Sequence, residues 1–191
     1  CNIGFAHSSG KYILFLNSDT LMQEGALEKS LGYMKAHPSV GCLGIKTFLA
    51  DNSFDHGCKR GFPTPFNSLC YMLKLDRIFP GNKKFGGYTL SYLPIDETNE
   101  VDSVSGAFML IPRYVLNRVG VFDESIFMYA EDIDLCYRIK QEGYKVIYYA
   151  DAFMIHLKGQ SGLHTKNKTV IKHFRNGITI FYDKYYKEKN N

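Results

Sequence analysis

Tyr12-Ile13-Leu14-Phe15-Leu16-Asn17-Ser18-Asp19-Thr20 is the stretch that decides the fold. A short continuous apolar run, bounded by Gly10-Lys11 and a polar tetrad, reads as a buried strand. The tetrad sets a carboxylate, Asp19, just past that strand's carboxyl end. In open α/β sheets, ligands sit outside the carboxyl ends of the strands. A second acidic group lies far along the chain, where Tyr129-Ala130-Glu131-Asp132-Ile133-Asp134 packs three acids into the start of a helix. The two groups are expected to face one crevice. That pairing suits a metal-bound phosphate ligand worked on by a general base.

Outward from these anchors, strands and helices alternate, so the class is α/β. Residues 2–9 read as the end of a helix stopped by Gly10. Leu27, Ser30, Leu31 and Met34 recur at helical spacing, and His37-Pro38 ends that helix. Residues 40–45 read as a second strand. Residues 50–100 are irregular, with a short helix expected at 66–78. A stretch of this length inside one domain is usually functional. A strand is expected at 101–111, then a helix opened by Pro112 and closed by Gly120. Residues 131–142 form the clearest helix, closed by Gly143. Strands are expected at 146–149 and 153–156. From Val170 on, Phe174, Ile178, Phe181 and Tyr185 make one apolar stripe, with Lys172, Arg175 and Lys184 elsewhere on the helix.

The 191 residues fit one domain, and 45 % apolar with 15 % aromatic content can build a core. No apolar run approaches the roughly 20 residues of a transmembrane helix. The net charge of +4 comes without a zinc-finger or RNA-recognition signature, so nucleic acid is not an expected partner. Five scattered cysteines without C-x-x-C spacing argue against a disulfide framework or zinc site. They fit reduced thiols in a cytoplasmic setting.

Several side chains could carry chemistry, and each also has a plain structural explanation. Asp132, Leu135, Cys136 and Ile139 share one helix face, so Asp132 heads an apolar stripe. Dipole stabilisation explains Glu131 and Asp134 well. It explains Asp132 poorly, because a carboxylate on a core stripe is costly unless partnered. Asp134 and Arg138 can pair at i, i+4. Asp19 offers hard oxygens to Mg²⁺ or Mn²⁺, though Asn-Ser-Asp-Thr is also good turn and capping chemistry. His156 closes an apolar run as either a ligand or a structural residue. Gly159-Gln160-Ser161-Gly162, just after it, could bring backbone N–H groups to a phosphate. Ser105-Gly106-Ala107 permits close approach of a ligand or of another backbone. The run Phe181-Tyr182-Asp183-Lys184-Tyr185-Tyr186-Lys187 reads as a docking helix with a solvated basic face. A membrane-surface role is the alternative.

Taken in order, these pieces resemble the family 2 glycosyltransferases with the GT-A fold, and among them the bacterial rhamnosyltransferase-like members. The matching stretches are Asn2-x-Gly4-x-Ala6, the run from Gly10 to Thr20, Ser105-Gly106-Ala107-Phe108-Met109 and Gly120-Val121-Phe122-Asp123-Glu124. Glu131-Asp132-Ile133-Asp134-Leu135-Cys136-x-Arg138 and His156-x-x-Gly159-x-Ser161 complete the set. The resemblance implies a Rossmann-like mixed sheet flanked by helices, the fold of nucleotide-diphospho-sugar transferases. It implies that Asp19 binds the metal, with Asn17 at the first position of a D-x-D element, and that His156 is the late metal or diphosphate ligand. Asp132 is then the catalytic base, with Glu131 the second candidate. Asn2, Asn17, Ser105, Gly106 and Arg138 are the expected substrate-binding positions. The cofactor would be a divalent cation, Mg²⁺ or Mn²⁺. The partners would be a nucleotide-sugar donor and a saccharide or lipid-linked acceptor.

The implied reaction is a single inverting displacement in cell-surface polysaccharide synthesis, with rhamnose a candidate sugar. An ordinary Asp, with a pKa of about 3.9, is a weak base for a sugar hydroxyl, so proton transfer must accompany attack. Family members open with a βαβ unit that is not seen before Cys1. The chain is therefore expected to be a single domain, residues 1–191, forming the C-terminal two thirds of a catalytic domain. On its own it would bind donor weakly or be inactive. An exposed sheet edge is expected to favour self-association. The expected location is the cytoplasm, at the inner face of the membrane. The rival readings are a non-catalytic sugar- or lipid-carrier-binding module and a metal-dependent phosphohydrolase.

Overall fold

The computed structural model describes residues 1–157 and 168–187. In chain order the elements are α1 (Asn2–Ala6), β1 (Tyr12–Leu16), β2 (Thr20–Met22), α2 (Ala26–Ala36) and β3 (Val40–Leu49). A 3₁₀ turn (His56–Cys58), β4 (Lys59–Arg60), α3 (Pro65–Met72), α4 (Leu75–Ile78), β5 (Asn99–Val101) and β6 (Ser103–Val104) follow. The chain continues through β7 (Phe108–Pro112), α5 (Arg113–Val119), α6 (Glu131–Gln141), β8 (Lys145–His156) and α7 (Lys168–Tyr185). A mixed six-stranded sheet runs β1-β7-β3-β8-β2, with β5 also pairing β8, while β4 and β6 make a separate small ribbon.

The two faces of the sheet are sorted by period-2 alternation. Cys42, Met109, Ile111, Val146 and Tyr148 point to one face, where they meet Leu135, Cys136 and Ile139 of α6. Leu43, Ile45, Phe108, Leu110, Ile147 and Tyr149 point to the other, against Ala26 and Met34 of α2. Outside α6 a third cluster joins Ile133 and Tyr137 to Phe181 of α7. Because both faces are covered, the central strands read as apolar runs.

The structure corrects several expected elements. β1 alternates between half-buried and buried positions and ends at an exposed Leu16, because it stands at the end of the strand order. Its one strand neighbour among the described residues is β7. The single strand expected at 101–111 is three short strands shared between two sheets. The two expected at 146–149 and 153–156 are one twelve-residue strand. Its register against β3 shifts between Tyr149 and Phe153, so Ala150-Asp151-Ala152 bulges out and breaks the apolar run. The helix expected at 66–78 breaks at Lys74, whose φ of 55° is left-handed.

α7 docks through its stripe as expected, and differs in its basic face. Phe181 is fully buried, and Tyr185 stacks against Tyr137 at 4.1 Å between ring centroids. Lys184 is not on a solvated basic face, since it bonds Asp123 and Asp134, both at 2.6 Å. Burial opposes its charge, but the two carboxylates outweigh burial and raise its pKa. Among the described residues, no helix is long and apolar enough to cross a membrane.

Candidate active site

Pairing of β1 with β7 places the strand-end tetrad. Leu16 sits opposite Phe108, and the ladder continues with the N–H of Asn17 donating to the carbonyl of Ala107 at 3.1 Å. One residue back, the N–H of Gly106 donates to Oδ2 of Asp132 at 2.9 Å. A side chain at position 106 would lie against both acids: a built Cβ falls 3.7 Å from Asp132 Oδ2 and 3.9 Å from Glu131 Oε1. Ser105 supports the turn by accepting from the N–H of Ala107 through Oγ at 3.2 Å.

On the other side of Asn17, its Nδ2 lies 3.4 Å from His156 Nε2. That same nitrogen lies 3.2 Å from Asp19 Oδ1. β2 holds this pair in place, with Thr20 opposite His156 and the N–H of Leu157 donating to the carbonyl of Asp19. Contacts therefore run unbroken from Asp19 and His156 through Asn17, Ala107 and Gly106 to Asp132. The sequence stretch following His156, including Gly159 and Ser161, lies outside the described residues.

Asp132 is 7 % exposed, and a buried carboxylate needs a partner. Arg60 provides it: Nη2 donates to Asp132 Oδ2 at 2.6 Å and to the carbonyl of Val104 at 3.1 Å. The small β4–β6 ribbon positions Arg60, with Arg60 opposite Ser103. Burial works against the guanidinium's charge, but Asp132 more than offsets it, and the Arg60 pKa is raised. Burial raises the pKa of the nearby Tyr88 hydroxyl, and the charge of Arg60 opposes that rise. Gly61 lets Tyr88 come this close, because a Cβ there would sit 1.8 Å from the carbonyl oxygen of Gly87. Asp132 Oδ1 accepts from the N–H of Ile133 at 2.8 Å.

The approach to α6 is strained. Tyr129 takes a φ of 75°, unusual for a bulky residue, immediately before the acidic turn. Glu131 Oε2 accepts from the N–H of Ala130 at 2.9 Å. Burial, then the charge of Asp132, pushes the Glu131 carboxyl up to about 7. A raised folded-state value means that the folded protein holds the proton more tightly. The associated stability is therefore fully present below the ordinary value of 4.5 and is lost as pH rises through about 7. Glu131→Gln should flatten the decline in stability across this window, by roughly 2 kcal/mol once partial exposure is allowed for. Denaturant unfolding at several pH values checks this; an unchanged pH dependence would place the charge cost elsewhere.

Two expected substrate positions are engaged with other groups. Asn2 donates through Nδ2 to the carbonyl of Phe122 at 2.9 Å and to Glu124 Oε1 at 3.1 Å, reaching neither Asp132 nor the Asp19–His156 pair. Arg138 forms the pair with Asp134 that its spacing suggests, at 2.8 Å. Its other bonds go to the carbonyls of Val119 and Val121, so it clamps α6 to the end of α5. Asp134 is fully buried and also accepts from Lys184 and from the hydroxyl of Tyr185 at 2.7 Å. It is therefore a structural acid. Arg60 and Tyr88 were not singled out in the sequence, and the one hint was that Asp132 lacked a visible cation.

A divalent cation fits the Asp19–His156 end by donor chemistry. Asp19 offers carboxylate oxygens, Asn17 an amide and His156 an imidazole whose buried Nδ1 has no hydrogen-bond partner among the described residues. No group of three or more His, Cys, Asp and Glu side chains gathers around a point among the described residues. Most of the coordination would thus come from ligand oxygens and water, the habit of Mg²⁺-like ions beside phosphates.

The model of a family described as "Glycosyltransferase like family 2" matches residues 1–179. The chain is 28 % identical over 150 residues to the N-acetylglucosaminyl-diphospho-decaprenol L-rhamnosyltransferase of Mycobacterium tuberculosis, covering 78 % of this chain and 48 % of that protein. It is 29 % identical over 144 residues to the rhamnosyltransferase WbbL of Escherichia coli, covering 74 % of this chain and 50 % of that one. The chain thus spans about half the length of these curated relatives. A solved structure of GalNAc-T7 with UDP, GalNAc and Mn²⁺ superposes with a TM-score of 0.56 at 15 % identity, over 96 % of this chain and 34 % of that one. At that identity the likeness shows the fold: a GT-A mixed sheet flanked by helices.

Proposed function

The chain belongs to the glycosyltransferase-like family 2, and from that premise we propose that it carries the acceptor-side catalytic machinery of an inverting glycosyltransferase. The donor is a nucleoside-diphosphate sugar, with rhamnose the sugar favoured by the relatives' names. The acceptor is a saccharide, carried on a lipid diphosphate as in the mycobacterial relative. The observation that carries the reading is the unbroken run of contacts from the Asp19–His156 pair, through Asn17 and Gly106, to Asp132.

In this reading Asp132 accepts the acceptor hydroxyl proton as the oxygen attacks the anomeric carbon, and the nucleoside diphosphate departs from the opposite face. Arg60 and the N–H of Gly106 hold Asp132 Oδ2 at a fixed point, so the base is oriented before substrate arrives. Gly106, without a side chain, leaves room for the acceptor beside both carboxylates. Asp19 and His156, with Asn17, would hold a divalent cation. When bound, that cation supplies neutralisation of the charge growing on the leaving diphosphate.

The metal end is tested separately from the base. His156→Ala in the full-length protein should weaken the dependence of transfer on added Mn²⁺ by about 10–100-fold in apparent affinity. Initial rates over a Mn²⁺ titration, with a labelled nucleotide sugar, measure it. An unaltered titration curve would remove His156 from the cation site.

A further inference from the structure

A group of exposed apolar side chains lies on α3 and α4 and just past α4, outside the carboxylate site. Phe66, Leu69, Met72 and Leu73 stand at helical spacing along α3 and its end, and Ile78 on α4 and Phe79 just past it follow, all exposed. Met72 reaches 78 % exposure. Apolar side chains this numerous and contiguous in a folded domain mark an interaction surface. Lys74, Arg77, Lys83 and Lys84 are all exposed around them. Lys84 Nζ lies 5.9 Å from the centre of the Phe66 ring, so a cation rims the apolar surface itself. Asp76 is the single acid between Asp55 and Asp96, and its carboxylate accepts from the hydroxyl of Thr89.

We propose that α3 and α4 form a docking surface for an anionic lipid bilayer, with the apolar side chains entering the interface and the four cations meeting headgroup phosphates. Charge complementarity selects this occupant. Apolar side chains beside a cluster of Lys and Arg suit a negatively charged membrane surface. A protein partner buried on the same face would have to neutralise four cations with acids of its own. The surface is also wired to the proposed base. Tyr71, on α3, packs on Tyr88 at 5.0 Å between ring centroids, Tyr88 lies close enough to feel the charge of Arg60, and Arg60 holds Asp132. A docked molecule would thus present its carboxylates close to the bilayer. That orientation rests on the transferase reading, whereas the docking itself does not.

The test is sedimentation of the protein with vesicles of phosphatidylcholine alone or mixed with phosphatidylglycerol. The wild type should sediment with the anionic vesicles and be released by salt. The double variant Leu69→Ser/Met72→Ser should bind about tenfold or more weakly, from the apolar area removed. Lys83→Glu/Lys84→Glu should lose the preference for phosphatidylglycerol, while Ile3→Ser, exposed on α1, should bind as wild type. Failure of the wild type to bind either vesicle would overturn the proposal. So would unchanged binding by both double variants, or a Leu69→Ser/Met72→Ser change seen only as conversion of an oligomer to a monomer. Sugar transfer to a water-soluble acceptor is measured in parallel, so loss of docking and loss of catalysis are read apart.

Discussion

Asp132→Asn in the full-length protein should lower the rate of sugar transfer by about 10²–10⁴-fold, the usual worth of a positioned general base. Donor binding should change little. The amide keeps the volume of the carboxylate and its oxygen can still accept from Arg60 and from the N–H of Gly106, so these contacts persist while the N–H of Ile133 loses its acceptor and Arg60 its counter-charge. It cannot take a proton from a sugar hydroxyl. Steady-state kinetics with a labelled donor, beside calorimetric titration of the nucleoside diphosphate, separate the two effects. Transfer at the wild-type rate would remove Asp132 as the base. It would then favour Glu131, whose carboxyl sits beside the same glycine and is pushed up to about 7 by burial and by Asp132. Transfer lost together with nucleotide binding would indicate a collapsed site.

Arg60→Met should have the largest effect on stability, about 3–5 kcal/mol, because it leaves Asp132 buried without its cation. Both side chains are close to fully covered, so water cannot take over the role of the guanidinium. Arg60→Lys should recover only part of the loss. An ammonium on a shorter, differently shaped head cannot reproduce the guanidinium's bonds to Val104 and Asp132 together. Adding Asp132→Leu to Arg60→Met should restore much of the stability, since removing both charges costs less than stranding one. Denaturant melts of the three variants measure this cycle. A single Arg60→Met variant within about 0.5 kcal/mol of wild type would show that Asp132 has another partner.

The legible parts of this chain were those where one pattern dominates. The α2 and α6 periodicities, the Pro112–Gly120 bracket around α5 and the strand before Asp19 all follow from local rules, and the structure forms each of them. Residues 50–100 were opaque because their order comes from distant partners. β4 exists by pairing with β6, and Gly61 and Tyr88 meet across a loop that carries no periodic signal. Within the site, Asp19, Asn17, Gly106, Asp132 and His156 stand out from motif order, and the structure brings them into one run of contacts, with Glu131 beside Gly106. Arg60 could not be named, because nothing in a single sequence says which of 23 basic residues answers a particular buried acid. Arg138 stood out for its place in a motif, and its i, i+4 spacing to Asp134 was the sounder guide. The apolar stripe of α7 is legible, and what covers it, Tyr137 and Ile133 of α6, is not. Amphipathic spacing tells which residues share a face and is silent on what covers it.

Lys184, near the end of the chain, neutralises Asp134, a fully buried acid two residues beyond the proposed base. Arg138 of the same helix serves Oδ2 of that carboxylate, whereas the bonds to its Oδ1 come from Lys184 and Tyr185 of α7. α7 follows α6 and the strands of the central sheet in the chain, so it leaves the ribosome after them. The opening turn of α6 therefore gains its second cation and the Tyr185 hydroxyl only once those strands have been made.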